Sequence, residues 1–204
     1  HRMRKSFYKQ IDRYICLNEN QIQLLKDIGF DENKVVKKYN FVPDAEANLK
    51  VMKVKNLPEK YVVFYGRIGE EKGIRILMKI WEDLPDIPLV VMGGGPLEEE
   101  FRRWSEKRSN VFFEGYTQHD KCLSIVKGGE FVVFPSIWYE GCSMVEIETE
   151  SLGKGLIATD LGFSTEAIKD GVNGYKIKLG DIEAFRKCII KLWNKPEISA
   201  EIGQ

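Results

Sequence analysis

Histidine is scarce in this chain, with two in 204 residues, so chemistry built on imidazole bases or clustered histidine ligands has few places to sit. No Ser-His-Asp arrangement and no HExxH metal motif occurs. The four cysteines, Cys16, Cys122, Cys142 and Cys188, form no CxxC pair, which argues against a zinc site and fits a reducing compartment. No stretch reaches the ~18 apolar residues of a membrane-spanning helix. No signal-peptide pattern opens the sequence, and the expected location is the cytoplasm. An excess of one charge is also missing: 31 basic side chains face 31 acidic ones. That balance gives no reason to expect a nucleic-acid partner or a polybasic membrane anchor. Internal repeats and low-complexity runs are absent.

What remains is a chain long enough to bury a real core as one or two domains. The opening His1-Arg-Met-Arg-Lys-Ser and the closing Glu201-Ile-Gly-Gln read as the ends of a fragment. Short β-branched or aromatic runs alternate with longer helical patterns. The pattern predicts a strand over 12–17, a helix over 18–29 with Asn18 as N-cap and Gly29 as C-cap, and a strand over 34–39. A linker and approach occupy 40–58. From there strands are expected at 61–65, 89–92, 110–114, 131–134, 155–159 and 174–178. Helices are expected at 73–83, 97–107, 119–127, 143–152, near 164–169, and at 181–194, before a helical tail. Such alternation implies an α/β fold, a Rossmann-like parallel sheet with helices on both faces, in which ligands bind at the carboxyl ends of strands.

The most informative stretch is Glu140-Gly-Cys-Ser-Met-Val-Glu-Ile-Glu148, two carboxylates seven residues apart after an apolar strand ending Phe134-Pro-Ser136. This spacing places Glu140 on a loop at a helix mouth and Glu148 two turns inside the helix, so that a polyhydroxylated ligand is gripped at two points. At about 100° per residue, Glu148 shares a face with Met144 and Leu152, while Glu146 and Glu150 are expected to point into solvent. A half-buried Glu148 needs a donor: sugar hydroxyls, a backbone amide or a lysine would each serve.

Three further features sit at strand ends. In Gly66-Arg-Ile-Gly-Glu-Glu-Lys-Gly73, Arg67 and Lys72 suit phosphate oxygens; alternatively they are surface charge paired with Glu70 and Glu71. Gly93-Gly-Gly-Pro96 is not GxGxxG, and the Glu98, Glu99 and Glu100 that follow would repel an anion. A structural tight turn is therefore the better reading. Glu114-Gly-Tyr-Thr-Gln-His119 either lies against a nucleobase through Tyr116 or is an ordinary turn into a helix. His119 reads as a surface residue at that helix start rather than a catalytic base.

In their order and strand context these motifs resemble a known family. GRxxxEKG, the glycine-proline turn, the apolar strand ending in Pro-Ser, the E-x7-E stretch, and Glu166 before Asp170-Gly-Val-Asn-Gly174 are similar to the C-terminal, donor-binding domain of a retaining GT-B glycosyltransferase of the group 1 (family 4) class. The resemblance covers about residues 40–200. Residues 1–39 resemble the end of that fold's N-terminal, acceptor-binding domain, and 59–204 the nucleotide-sugar domain.

The resemblance implies catalytic roles for Arg67 and Lys72 on the donor diphosphate and for Glu140 on the donor-sugar hydroxyls. Glu148 would bind the ribose, and the backbone amides of Cys142, Ser143 and Met144, beside Gly141, would meet phosphate or sugar. Gly115 and Tyr116 would border the base, with Gly66 at the mouth of the first strand. No metal and no cofactor is implied. The donor base stays open among uracil, guanine and adenine, with a UDP- or GDP-sugar expected, and the acceptor is a glycan or lipid-linked molecule held by the N-terminal domain. The full-length enzyme would associate with a membrane peripherally at most, and this stretch alone would bind donor but transfer little.

Departures from the family pattern are Cys142-Ser143, where many members carry Phe-Gly, Phe163 for a glycine, and Gly155 for a proline. A non-catalytic nucleotide-sugar-binding scaffold would keep the fold but would not need Arg67, Lys72 and Glu148. A dinucleotide-dependent epimerase or dehydrogenase would need GxGxxG and a Tyr-Lys pair, and a phosphoacceptor domain would need an acidic cluster at the strand ends.

Overall fold

The structure, a computed structural model, describes residues 10–43, 49, 51, 54 and 56–203. Much of the expected linker, at 44–48, 50, 52, 53 and 55, lies outside the described residues, as do residues 1–9. The first described strands are β1 (Tyr14–Cys16) and β2 (Val35–Lys37), which pair in parallel, Tyr14 with Val35 and Cys16 with Lys37. Both are shorter than the apolar runs that announce them. The chain leaves β1 at once for helix α1 (Glu19–Asp27), whose first turn is capped by Asn18 Oδ1 on the Gln21 amide at 2.8 Å. It leaves α1 through Gly29 at φ +86°, with Gly29 N–H on Lys26 O and Phe30 N–H on Leu25 O. Those are the two bonds of a glycine-ended helix. Among the described residues no third strand joins this pair, and Ile15 is 63% exposed.

A six-stranded sheet follows: β3 (Val62–Tyr65), β4 (Leu89–Met92), β5 (Val111–Gly115), β6 (Phe131–Phe134), β7 (Gly155–Thr159) and β8 (Gly174–Ile177). The strands are all parallel, in the order β5-β4-β3-β6-β7-β8. Every residue of β3, β4, β6 and β7 is buried, as a sheet covered on both faces requires. Alternate residues feed two cores. Val62, Phe64, Leu89 and Val133 face helices α2 (Ile74–Trp81), α3 (Glu98–Ser105) and α7 (Ile182–Asn194). Val63, Tyr65, Val90 and Phe134 face α4 (His119–Gly128) and the end of α5 (Met144–Ser151). A short α6 (Phe163–Ala167) and a terminal α8 (Pro196–Glu201) complete the chain. Helix α2 shows how sequence becomes packing: Ile74, Leu77, Ile80 and Trp81 fall on one stripe and are all buried. Each such side chain contributes roughly 1.5–3 kcal/mol by leaving water.

Strand order reverses direction at β3, with β4 on one side and β6 on the other. Loops leaving β3 and β6 therefore diverge and open a crevice beyond their carboxyl ends. Two glycine contacts hold the β3 loop close to its neighbours, one to the β6 loop and one to the β4 loop. A Cβ on Gly73 (φ +71°) would sit 1.9 Å from Pro135 O, and one on Gly93 (φ +138°) 1.8 Å from Gly66 O. The Gly93–Gly95 turn is thus a backbone-packing device, as its acidic neighbours suggest.

Gly73→Ala should separate contact from strain. Left-handed backbone alone costs about 1–2 kcal/mol for alanine, and Gly180 at φ +81° has open space around it. Gly180→Ala is expected to lose about that amount and Gly73→Ala clearly more, measured as denaturant midpoints. Equal losses would show that the Gly73–Pro135 approach relaxes freely.

Candidate functional site

A cleft of about 350 Å³ opens beyond the carboxyl ends of β3, β4 and β5, next to the strand reversal, lined by Tyr65, Gly66, Arg67, Gly93, Tyr116 and Cys122 among others. Gly66 and Gly115 carry positive φ, and Tyr116 is 84% exposed, projecting from the loop after β5. Arg67 pairs with Glu71 at 3.2 Å and keeps 66% of its side chain in solvent. Such an exposed pair holds by about 0–1 kcal/mol, so Arg67 is free to exchange Glu71 for a ligand oxygen.

Lys72 does something different from the local pairing its neighbours suggest. Its Nζ reaches across the crevice to Glu140 Oε1 at 2.5 Å, and the Lys72 and Glu140 side chains are 20% and 14% exposed. Ser136 Oγ lies 3.2 Å from the same carboxylate oxygen and 3.0 Å from Glu71 O, two acceptors that share its one hydroxyl hydrogen. Glu140 is also held by its backbone: its carbonyl accepts from Phe163 N–H at 3.0 Å and from Asn18 Nδ2 at 3.2 Å. Lys72 has three donor hydrogens, so two remain for an anion once Glu140 takes one. At the mouth of α5, Ser143 adopts an extended N-cap conformation without a side-chain cap bond. The first-turn amides there remain available to an incoming acceptor.

Glu148 lies just over one turn inside α5, not the expected two, because the helix starts only at Met144; it is 8% exposed, which is deeper than the half-burial its helical spacing implies. It sits beneath the cleft, beside Tyr65 and Cys122. Burial first and the Glu148 charge second push the Tyr65 phenol well above its ordinary range, and in the same order lift the Cys122 thiol to about 12. Tyr65 itself donates to Val145 O at 2.8 Å. It therefore fixes α5 against β3 while facing the cleft. Tyr65 and Cys122 escape a reading by motif, because a strand-end tyrosine and a mid-helix cysteine look like core.

Two further expectations fail. Glu150 is exposed, but Glu146 is 4% exposed, with Ser164 Oγ donating to its Oε1 at 2.9 Å and its Oε2 buried without a protein partner. Helical periodicity assigned it to solvent, but α6, five residues long, covers that face of α5. Met144, expected on the buried face with Glu148, is instead 40% exposed and lines a second opening with Ile15, Tyr39 and Phe41. Gly141 lies under α1: a Cβ there would come within 2.7 Å of Gln21 Nε2. Cys142 is buried, its carbonyl accepting from Asn40 Nδ2 at 2.9 Å. Phe163, the departure from glycine, packs edge-on against Tyr39 with ring centroids 5.7 Å apart. Among the described residues no group of His, Cys, Asp and Glu could hold a metal ion, and no helix is long and apolar enough to cross a membrane.

Burial raises Glu146 from 4.5 to about 7. Between those values the folded chain holds a proton the unfolded chain has released, so stability falls as pH rises across that window and stays reduced above it. Glu146→Gln should remove the slope, stabilising the protein by about 3 kcal/mol at pH 8 and by almost nothing at pH 4.5. Melting temperatures of both proteins from pH 4.5 to 8 give the test; an unchanged slope in the variant would refute the assignment.

Comparison with known proteins joins these pieces. A family model described as glycosyl transferases group 1 matches residues 46–204. An O-antigen chain mannosyltransferase C of Escherichia coli is 32% identical over 150 residues, covering 72% of this chain and 40% of that protein. A glycosyltransferase from Rickettsia africae superposes with a TM-score of 0.81 at 17% identity, over 100% of this chain and 60% of its own. The Anabaena protein HepE, solved with UDP and glucose, superposes with a TM-score of 0.80 at 18% identity, over 95% of this chain and 56% of its own. The chain thus spans about half the length of the proteins it matches, and its sheet is the Rossmann-like half of a GT-B fold. With the family model covering 159 residues from 46 to 204, the chain belongs to the group 1 glycosyltransferases.

Proposed function

We propose that this chain binds a nucleoside-diphosphate sugar and serves as the donor half of a retaining hexosyltransferase of family 4. The observation that carries this reading is that two motifs far apart in sequence, the β3 loop and the stretch from Glu140 to Glu148, meet beside the cleft. Lys72 of the β3 loop bonds Glu140 after β6, and Glu148, eight residues past that loop carboxylate and just over one turn into α5, lies against Tyr65 and Cys122 of the cleft.

In this reading Arg67 and Lys72 hold the diphosphate, and the amides of Cys142, Ser143 and Met144 supply N–H donors at a helix N-terminus. Glu148 accepts from the ribose hydroxyls, Gly115 and Tyr116 border the base, and Glu140 presents its Oε2 to hydroxyls of the sugar. The reaction breaks the bond from the anomeric carbon to the diphosphate oxygen. That electron pair stays on the departing phosphate, and the acceptor hydroxyl oxygen bonds to the same face of the sugar as its proton passes to the departing phosphate oxygen. Negative charge grows on the leaving diphosphate, where the two cations stabilise it most; removal of one such donor costs on the order of 10²–10³ in rate. These cations make a metal unnecessary. The acceptor, a glycan or lipid-linked molecule, is held by a second unit that completes the active site, and the reaction takes place in the cytoplasm.

UDP, GDP and ADP should be compared by thermal shift. A nucleotide at 100 times its dissociation constant adds about 2.7 kcal/mol, roughly 5–10 °C for a chain of this size. A selective rise with UDP or GDP that vanishes in Glu148→Ala and Arg67→Ala is the expected result. No response to any of the three would sink the donor assignment.

A further inference from the structure

The small lobe of β1, α1 and β2 meets the loop after β6 through polar turns as well as apolar side chains, and its side-chain hydrogen bonds to that loop are concentrated on three consecutive carbonyls. Asn18, 0% exposed, uses its whole amide. Oδ1 caps α1 at Gln21 N–H (2.8 Å), while Nδ2 donates to Glu140 O (3.2 Å) and Gly141 O (2.8 Å). The partners set the orientation of the group, since a flipped amide would put its oxygen against two carbonyls and its NH₂ against an N–H. Asn40, which follows β2, donates its Nδ2 to Cys142 O at 2.9 Å. Two asparagines, one after each strand of the lobe, therefore take the carbonyls of residues 140, 141 and 142 in succession. Glu166 adds a tether from the other side, its Oε2 accepting the Glu19 amide of α1 at 3.0 Å.

In a trans peptide the C=O of one residue and the N–H of the next point in opposite directions. Carbonyls 140–142 drawn toward the lobe turn the N–H groups of Gly141, Cys142 and Ser143 away from it. Among the described residues no acceptor meets the Cys142 or Ser143 N–H. We propose that Asn18 and Asn40 are positioning residues, which grip the carbonyl side of the 140–142 loop so that its N–H side is fixed toward the anion and Glu140 is fixed beside Lys72. The part played by the anion rests on the donor reading above; the grip itself does not.

Asn18→Ser isolates the effect, because serine still caps α1 but cannot reach Glu140 and Gly141. Two measurements decide it. In hydrogen exchange without ligand, the peptide spanning 139–147 should exchange faster in the variant while the β3 and β4 peptides stay unchanged; equal protection of the 139–147 peptide would overturn the grip. In calorimetry below the melting temperature, UDP should bind about tenfold more weakly, the size of one or two lost hydrogen bonds, while uridine binds within twofold of the parent. A merely structural role would leave the ratio of UDP to uridine affinity where it was, and that result would overturn the positioning role. If the parent chain itself binds no UDP, the donor reading fails and with it the role toward the anion, while hydrogen exchange still decides the grip. Asn40→Ser, on the other strand end, should repeat the pattern at the same peptide.

Discussion

Glu140 ties its own loop to three other parts of the molecule, and the crevice has its shape because of those bonds. Its carboxylate takes Lys72 from the β3 loop and Ser136 from the β6 loop, and its carbonyl takes Phe163 N–H at the start of α6 and Asn18 from the small lobe. A largely buried ion pair of this kind is a poor source of net stability, since desolvation offsets most of the attraction, yet removing one partner alone typically costs 3–5 kcal/mol. Its consequence here is geometric: loops that diverge from adjacent strands are held to one spacing. Gly162 at φ +60° shows how tight the grip is, because a Cβ there would lie 2.7 Å from the Glu140 amide nitrogen.

The rest of the domain serves that spacing. Parallel strands buried on both faces leave little freedom in where β3 and β6 end. Glycines 73 and 93 then let backbone meet backbone where side chains would keep the loops apart. Flexibility is left to Arg67 and Tyr116, which are exposed at the rim. Rigid carboxylates on the floor and mobile groups at the edge suit a ligand that must enter, be oriented through its hydroxyls, and leave as a charged fragment.

Much of this was legible in the residues. Strands Leu89–Met92, Phe131–Phe134 and Gly155–Thr159 lie where apolar β-branched runs stand between turn residues, and the pairing of Glu140 with Glu148 across a helix start follows from spacing. The partner of Lys72 did not. Glu70 and Glu71 are nearer in sequence, and only the crossing of two loops brings Glu140 within reach. Glu146 was misread for a related reason. Periodicity describes one helix, whereas the burial of that face depends on α6, a helix too short to announce itself. Asn18 was legible as a cap, but its other two hydrogen bonds depend on a fold 122 residues away.

The central claim is that the crevice between the β3 and β6 loops receives a diphosphate, and a crystal structure of the chain with bound UDP tests it most directly. The account predicts phosphate oxygens at the mouth of α5, within hydrogen-bond distance of the Ser143 and Met144 amides and of Lys72, with the ribose hydroxyls on Glu148. Diphosphate seated instead on the Gly93–Gly95 turn, or on the lysines of the small lobe, would contradict it.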